Sequence, residues 1–209
     1  MTLTLYTNPM SRGRIARWML EEVGASYDTV VLDHASSMKA EPFLAINPMG
    51  KVPAIVHDGH IVTECAAICA YLADAFPAAG LAPTPADRAE YYRWLFFAAG
   101  PLEHAVTNRS LGVTPDAKQQ LMAGYGTFDL TIETLAKALT VNPYFGGDRF
   151  SAVDVYAGSQ VMWGLQFGSI PANAVFTDYV ARVKDRGAYR RAGELDDALI
   201  AASVAQAVD

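Results

Sequence analysis

The sequence predicts two regions, an α/β region followed by an all-helical one. Before about residue 80 the strand and helix patterns alternate in the order β-α-β-(α)-β-β-α, which fits a small mixed sheet covered by helices. After that point almost every stretch has the helical period. Proline and glycine accumulate between the two regions, at Pro77, Gly80, Pro83 and Pro85. We therefore expect an α/β domain over residues 1–77, a linker over 78–86 and an all-α domain over 87–209.

Short strands and two clear helices make up the α/β region. Residues 3–6 predict a strand, and residues 14–23 predict a helix with one apolar face, which Gly24 is expected to end. Further elements are expected as strands at 27–32 and 54–56, a hairpin turn at 57–60, a strand at 61–62 and a helix at 64–76. His57 and His60 are interpreted as exposed residues of that turn.

Helices account for the second region. The first covers residues 87–109, is rich in aromatic side chains and is expected to bend near Pro101. A second covers roughly 115–140, and two shorter helices are expected to finish the chain. After the helix at 115–140, Ser151 and Asp154 have the spacing of a capping box, in which Asp replaces the usual Glu or Gln. An apolar helix is expected to start there.

Composition narrows the class of protein. Hydrophobic residues make up 52% of the 209 residues and charged residues 18%, which is typical of a globular chain. The net charge of −6, with no basic run, argues against nucleic acid as a partner. We find no signal peptide and no apolar segment long enough to span a membrane. Only two cysteines are present, so a reducing cytoplasm is the expected location.

The most informative segment is residues 47–53, which read Asn-Pro-Met-Gly-Lys-Val-Pro. Pro53 stands where a buried strand should begin, a position that tolerates the missing N–H. A cis bond between Val52 and Pro53 would turn the backbone groups of Val52 outward, where they can pair with another extended backbone. Glu64 and Cys65 then open an apolar helix, whose N-terminus attracts carboxylate. Together these features predict a site for an extended peptide that ends in a carboxylate.

Four segments carry a family resemblance. They are Leu-Tyr-Thr-Asn-Pro-Met-Ser-Arg at 5–12, the run from Asn47 to Ala54, Glu-Cys-Ala-Ala-Ile-Cys-Ala-Tyr-Leu at 64–72, and Ser-Ala-Val-Asp-Val at 151–155. In this order and at this spacing they resemble the cytosolic glutathione transferases over nearly the whole chain. The resemblance implies a thioredoxin-like N-terminal domain, an all-helical C-terminal domain and a homodimer.

The resemblance also implies a glutathione site on the N-terminal domain. Val52, ahead of the family's cis-proline at Pro53, would pair its backbone with the cysteinyl unit of glutathione. Glu64 would take the γ-glutamyl amine, and the N–H and side chain of Cys65 would take the γ-glutamyl carboxylate. Two lysines, Lys51 and the more weakly supported Lys39, are candidates for the glycine carboxylate.

A second, hydrophobic substrate would lie between the two domains according to the same resemblance. Its walls are expected to come from Met10 and from the long helix, with Tyr91, Trp94 and Phe97 nearest. Part of that aromatic run belongs to the protein core whatever the function, because it covers two helical turns. The sequence does not identify the electrophile, and detoxification, catabolism and peroxide reduction all remain open as physiological roles.

The chemistry requires a thiolate, because the thiol is a poor nucleophile. Ser11 stands where the first strand leads into the first helix, so its hydroxyl could donate to the glutathione sulfur while the helix N-terminus favours negative charge. We therefore favour Ser11 as the catalytic residue. Tyr6, Thr7 and Asn8 are alternative donors, since family members differ at this point. The competing interpretation is that Ser11 only caps the helix.

Two departures from the family pattern concern cysteine. Cys65 replaces the serine that family members commonly carry, and a thiol is a weaker donor than a hydroxyl. The opening loop has no cysteine, which argues against a thiol-transferase or an omega-type reductase. Cys65 and Cys69 are four residues apart on one helix, unlike a redox Cys-x-x-Cys motif. No His, Cys and carboxylate set has metal-ligand spacing, so no metal is expected.

Two classes of function fit the sequence. The first is a glutathione transferase, or a related glutathione-dependent lyase or peroxidase, which uses glutathione as co-substrate and joins it to a hydrophobic electrophile. The second is a non-catalytic glutathione-binding or protein-interaction module with the same fold. The peptide site beside a hydroxyl donor favours the enzyme, because a scaffold has no need of it.

Overall fold

The computed structural model describes residues 2–206, which form two compact units. The first unit contains the described residues up to Leu81 together with those from Asp185 onward. The second unit is Ala82–Lys184. No helix within the described residues is long and apolar enough to cross a membrane.

A four-stranded mixed sheet forms the centre of the first unit. Its strands have the order β2-β1-β3-β4, with β1 parallel to β2 and antiparallel to β3, and β3 antiparallel to β4. The bounds are β1 Leu3–Thr7, β2 Asp28–Val31, β3 Ala54–His57 and β4 His60–Thr63. Alternate residues of β1 are buried, as expected for a strand covered on one face. The prediction of a mixed α/β sheet with a β3–β4 hairpin is confirmed.

Four helices belong to the first unit. They are α1 Gly13–Val23, α2 Phe43–Ile46, α3 Cys65–Ala75 and α10 Gly187–Gln206. The predicted apolar face of α1 is buried, with Trp18 and Met19 at its centre. Gly24 ends α1 in the left-handed conformation, at φ 66°, that glycine adopts without steric cost.

The second unit is helical throughout. Its helices are α4 Arg88–Phe97, α5 Glu103–Ser110, α6 Ala117–Met122, α7 Phe128–Val141, α8 Ala152–Phe167 and α9 Ala174–Lys184. A π-helical stretch, Ala98–Leu102, joins α4 to α5 and contains Pro101, which agrees with the predicted bend. The single helix expected over 115–140 is instead two, since the chain turns through Gly126 at φ 64° between them.

The largest difference from the predicted domain boundaries concerns the end of the chain. The sequence places residues 87–209 in one all-α domain, whereas α10 belongs to the first unit and is the longest helix of the described chain. The physical reason is a buried ion pair, in which Arg17 Nε of α1 donates to Asp196 Oδ1 of α10 at 2.8 Å. Arg17 is buried, and a buried guanidinium is costly unless it is paired, so its contact with Asp196 ties α10 to α1.

Candidate functional site

A tight loop between β1 and α1 holds Ser11. Asn8 fixes the loop with its amide, which donates to the Leu32 carbonyl at 2.8 Å and accepts the Met10 N–H at 2.8 Å. The Ser11 hydroxyl donates to the Asn8 carbonyl at 2.6 Å and accepts the Gly13 N–H at 2.9 Å. Ser11 is half-buried and lies just before the N-terminus of α1.

The other candidate donors in this loop lie deeper. Thr7 is fully buried, and its hydroxyl has no hydrogen-bond partner among the described residues. It packs against Gly13, where an added Cβ would lie 1.9 Å from Thr7 Oγ1, so only glycine fits there. Tyr6 packs on Phe43, with ring centroids 5.7 Å apart. Exposure therefore favours Ser11 over Thr7 as the group that can meet a ligand.

Residues 47–53 form a turn that leads into β3. The buried Asn47 organises it by donating to the Lys51 carbonyl at 2.8 Å and accepting the Met49 N–H at 3.2 Å. The bond between Val52 and Pro53 is cis, as predicted. The Val52 backbone forms no hydrogen bond with another loop residue in the described part of the chain. Its N–H and C=O are therefore available to an extended ligand backbone.

The two predicted lysines lie beside this turn and are exposed. Lys39 Nζ donates to the Gly50 carbonyl at 2.7 Å, so it is held against residues 49–50. Gly50 has φ 57°, and an added Cβ would lie 2.7 Å from the Met38 carbonyl oxygen. This close approach brings the Lys39 segment next to the turn before β3.

Glu64 occupies an unusual backbone conformation at the start of α3. It has φ 66° and ψ 120°, a region that non-glycine residues rarely adopt. Such conformations cost about 1–3 kcal/mol and are concentrated at functional sites. The Glu64 side chain is exposed, so this backbone turn presents a carboxylate to solvent immediately before the N-terminus of a helix.

The N-termini of α1 and α3 come together at Cys65. Its Sγ donates at 3.5 Å to the carbonyl of Arg12, the residue before α1. The thiol therefore points toward the Ser11 loop. One turn further on, Cys69 is fully buried, and desolvation by burial raises the pKa of its thiol well above the usual value. Cys69 is therefore a core thiol and not a reactive one.

The electrostatics of this surface favour an anion. Each of the two converging helices has 11 residues and carries a partial positive charge at its N-terminus. The exposed ammonium groups of Lys39 and Lys51 add two full positive charges nearby on the same unit. Glu64 supplies a single carboxylate suited to an amine. Within the described residues no group of His, Cys, Asp and Glu could hold a metal ion.

The residues predicted for the hydrophobic substrate differ in exposure. Met10 is 73% exposed, and Phe97 is half-buried. Tyr91 and Trp94 are buried in the second unit, and Trp94 Nε1 donates to Glu90 at 2.8 Å. Met10 is thus free to meet a ligand, whereas Tyr91 and Trp94 contribute to the helical core. Their role in substrate binding stays a prediction.

Two residues that shape the site were not assigned from the sequence. Asn47 organises the turn before β3, and the Asn-Pro-x-Gly pattern is a signal for such an Asx turn. Arg14 donates from Nε to the Pro9 carbonyl at 2.6 Å, which fixes the Ser11 loop from the helix side. No sequence pattern indicates this second contact.

The sequence of this chain matches one family model and several known proteins. The family model described as glutathione S-transferase, N-terminal domain, matches residues 1–74. Glutathione S-transferase 3 of Zea mays is 32% identical over 172 residues, which are 73% of this chain and 73% of that protein. Protein LigF of a Sphingobium species is 40% identical over 99 residues, but these are only 45% of this chain and 38% of LigF.

Solved structures agree with these sequence matches. The structure of a sphingomonad glutathione S-transferase complexed with glutathione is similar to this chain, with a TM-score of 0.75 and 28% identity. The similarity covers 93% of this chain and 98% of that one. Both units of the chain therefore fall within the aligned fold.

Proposed function

The chain belongs to the glutathione S-transferase family, which makes it a glutathione transferase, and we propose that it ionises the thiol of bound glutathione and adds the thiolate to a hydrophobic electrophile. The family and the two-domain fold expected from the sequence are confirmed by these relatives and by the mixed sheet. The identity of the ionising residue and the class of electrophile are the new parts of the proposal.

One observation carries the proposal, the meeting of two helix N-termini beside the half-buried hydroxyl of Ser11. Cys65 Sγ lies 3.5 Å from the Arg12 carbonyl, so α3 begins within a few ångströms of the loop that holds Ser11. A ligand at this point can place a carboxylate at the start of α3 and a sulfur at the start of α1. A γ-glutamyl-cysteinyl peptide has both groups at suitable spacing.

The remaining groups fit the rest of glutathione. The Val52 N–H and C=O pair with the cysteinyl backbone, and Glu64 accepts the γ-glutamyl amine. The backbone N–H of Cys65 holds the γ-glutamyl carboxylate, and its side chain, which donates to the Arg12 carbonyl in the structure, turns to the same carboxylate when glutathione binds. Lys51 and Lys39 attract the glycine carboxylate. Each pairing joins opposite charges or complementary backbone groups.

Ser11 acts by changing its hydrogen-bond partner. A hydroxyl has one proton, which is donated to the Asn8 carbonyl at 2.6 Å in the structure. When a thiolate lies beside it, the proton turns to the sulfur, while the Gly13 N–H continues to donate to Oγ. A hydrogen bond to a charged acceptor is stronger than one to a neutral carbonyl, by about 1 kcal/mol. This difference favours the thiolate.

The reaction then balances as a simple substitution or addition. The glutathione thiol loses its proton to water, and the thiolate forms a carbon–sulfur bond with the electrophile. The displaced electron pair leaves with a leaving group, or it passes to a neighbouring carbon or heteroatom that takes up a proton. The exposed Met10 supplies apolar surface next to Ser11 for the electrophile.

The proposal is tested by titrating the protein with glutathione in a calorimeter while thiolate absorbance near 240 nm is followed as the pH rises. We expect binding, ionisation of the bound thiol below its free pKa of about 8.5, and turnover with an aryl halide or an activated alkene. Binding without a lowered pKa would contradict the thiolate mechanism and support a non-catalytic glutathione-binding module. No binding would overturn the proposed site.

Two further expectations belong to this proposal. Family membership supports a homodimer, which sedimentation at several protein concentrations would test. The cytoplasmic location expected from the low cysteine content would be tested by cell fractionation. A monomer in sedimentation, or a protein recovered outside the cytoplasmic fraction, would contradict the corresponding expectation.

A further inference from the structure

Arg14 joins the Ser11 loop to the last helix. Its Nε donates to the Pro9 carbonyl at 2.6 Å, and its Nη2 pairs with Asp197 Oδ1 of α10 at 2.5 Å. Both contacts lie within the first unit. The Arg14 side chain is 30% exposed and that of Asp197 is 70% exposed, so the pair lies at the surface and is open to screening by salt.

The shape of the guanidinium couples the two contacts. Its five N–H donors are fixed in one plane, so holding Nη2 against a carboxylate also fixes the direction of Nε. That direction sets the peptide plane between Pro9 and Met10. The Met10 N–H of the same plane donates to the Asn8 side chain. The carbonyl of Asn8 in turn holds the Ser11 hydroxyl, so the position of this hydroxyl depends on Arg14 through one peptide plane.

The helix that presents Asp197 is itself firmly held. Its neighbour Asp196 forms the buried pair with Arg17, whose side chains are 0% and 3% exposed. Near the other end of α10, Arg186 donates to both oxygens of Glu22 at 2.7 Å. Asp197 therefore lies on a helix that is fixed to the rest of the first unit. Its carboxylate can hold Arg14 in one place.

We propose that Arg14 and Asp197 are positioning residues for the transferase reaction, which hold the Asn8–Ser11 loop so that the Ser11 hydroxyl meets the glutathione sulfur. Neither residue touches the substrate. Asp197 orients Arg14, and Arg14 fixes the Pro9 carbonyl. The inference rests on the proposed function, because it concerns the geometry of the same hydroxyl.

The first test replaces Asp197 with asparagine, which removes the charge and keeps the shape. Turnover at saturating glutathione should fall about two- to fivefold, the range expected for one partly exposed ion pair. The pKa of the bound thiol should rise, and the dissociation constant for glutathione should change less than twofold. A mere loss of stability would not move the thiol pKa of the folded protein.

The matched control is Asp185→Asn. Asp185 also pairs with an arginine of the same unit, Arg190, at 3.0 Å, and its side chain is 89% exposed. This variant makes the same change in net charge on the same segment of chain. Its turnover and thiol pKa should equal those of the unchanged protein. A loss equal to that of Asp197→Asn would assign the effect to net charge and overturn the proposal.

Two more variants separate orientation from charge. Asp197→Glu keeps the carboxylate and should restore most of the turnover. Arg14→Lys keeps the charge but replaces the rigid planar fork with a point charge on a flexible stem, which does not fix the direction of the Pro9 carbonyl, so it should resemble Asp197→Asn. A lysine variant with full turnover would contradict the proposed coupling.

Salt provides a test that can be applied to the unchanged protein and to Asp197→Asn alike. Raising the salt to about 1 M shortens the Debye length to about 3 Å, which weakens the exposed pair. Turnover at saturating glutathione should then approach that of Asp197→Asn, and the variant should respond less. An equal response of both proteins would overturn the inference. If the unchanged protein itself fails to ionise glutathione, the proposed function fails instead, so the two failures are distinguishable.

Discussion

Two helices of this chain begin beside a serine, and the two serines have opposite surroundings. Ser151, at the start of α8, is buried and forms a capping box with Asp154. Ser11, before α1, is half-buried, and its hydroxyl bonds to backbone groups, the Asn8 carbonyl and the Gly13 N–H. The same residue type thus occurs in a closed network and in an open one.

The closed network is centred on Asp154. Its carboxylate accepts the N–H groups of Phe145 and Ser151 at 3.0 Å each and the Tyr179 hydroxyl at 2.9 Å. Desolvation by complete burial raises the pKa of Asp154 to about 6, although all these hydrogen bonds oppose the rise. Ser151 therefore has no route to a ligand. What distinguishes Ser11 from Ser151 is therefore access to a ligand, not position before a helix.

The largest expected effect is on stability and concerns the closed network around Asp154. Asp154→Ala removes the acceptor of four buried donors, the fourth being the Ser151 hydroxyl at 3.3 Å, and should lower the free energy of unfolding by about 3–5 kcal/mol. Urea unfolding measures this loss. Asp148→Ala, an exposed carboxylate of the same turn region, is the control and should cost little. A loss below about 1 kcal/mol for Asp154→Ala would show that the network contributes little to stability.

A substitution at Ser11, in the open network, should instead change the turnover. Ser11→Ala should reduce turnover about ten- to a thousandfold with little change in glutathione affinity, because the lost hydrogen bond acts mainly on the developing charge. Steady-state kinetics with one electrophile measures this. The control is Ser203→Ala, since Ser203 Oγ also donates to the carbonyl three residues earlier, Ile200, on an exposed surface. Unchanged turnover would assign Ser11 only the role of a helix cap and would favour Asn8 as the donor to the glutathione sulfur.

The third effect is the pH dependence of the closed network. The folded-state pKa of Asp154, about 6, lies above the unfolded value of about 3.9. Its contribution is therefore fully present below about pH 4 and is lost as the pH rises through 6. The difference in unfolding free energy between the unchanged protein and Asp154→Asn should shrink by up to about 3 kcal/mol from pH 4 to pH 7. A difference that grows with pH would contradict the raised pKa.

The smallest effect concerns a third helix start, that of α3, where cysteine replaces serine. Cys65→Ser should tighten glutathione binding about fivefold, close to 1 kcal/mol, because a hydroxyl is a better donor than a thiol. Calorimetric titration measures the change, and Cys69→Ser in the core serves as a control for folding. Weaker binding would show that the contact between Cys65 and the Arg12 carbonyl is fitted to this pocket.

Features set by neighbouring residues could be predicted from the sequence. The strands, the end of α1 at Gly24, the β3–β4 hairpin and the capping box at Ser151 each depend on a pattern within a few residues. The same holds for part of the site. Ser11 at the start of α1 and Glu64 at the start of α3 were placed by local motifs, and the structure has both there.

Features set by distant residues could not be predicted. His57, expected to be an exposed turn residue, is buried at 6% exposure and stacks on Phe76 at 5.7 Å, so that prediction was wrong. The bond between Arg14 and Asp197 joins residues 183 positions apart. A single sequence shows that both residues are charged but not that they meet. The grouping of α10 with the first unit likewise depends on a contact between distant residues, Arg17 and Asp196.

The pairing of α1 with α10 has a consequence for synthesis of the chain. Arg17 emerges from the ribosome long before Asp196, and a buried arginine without its carboxylate costs about 3–5 kcal/mol. The first unit therefore reaches its final stability only after α10 has been synthesised. A product that stops after α9 keeps every residue assigned to the glutathione site, yet it lacks the helix that packs on α1 and supplies the carboxylate for Arg17. Such a fragment is a natural target for chaperones and proteases.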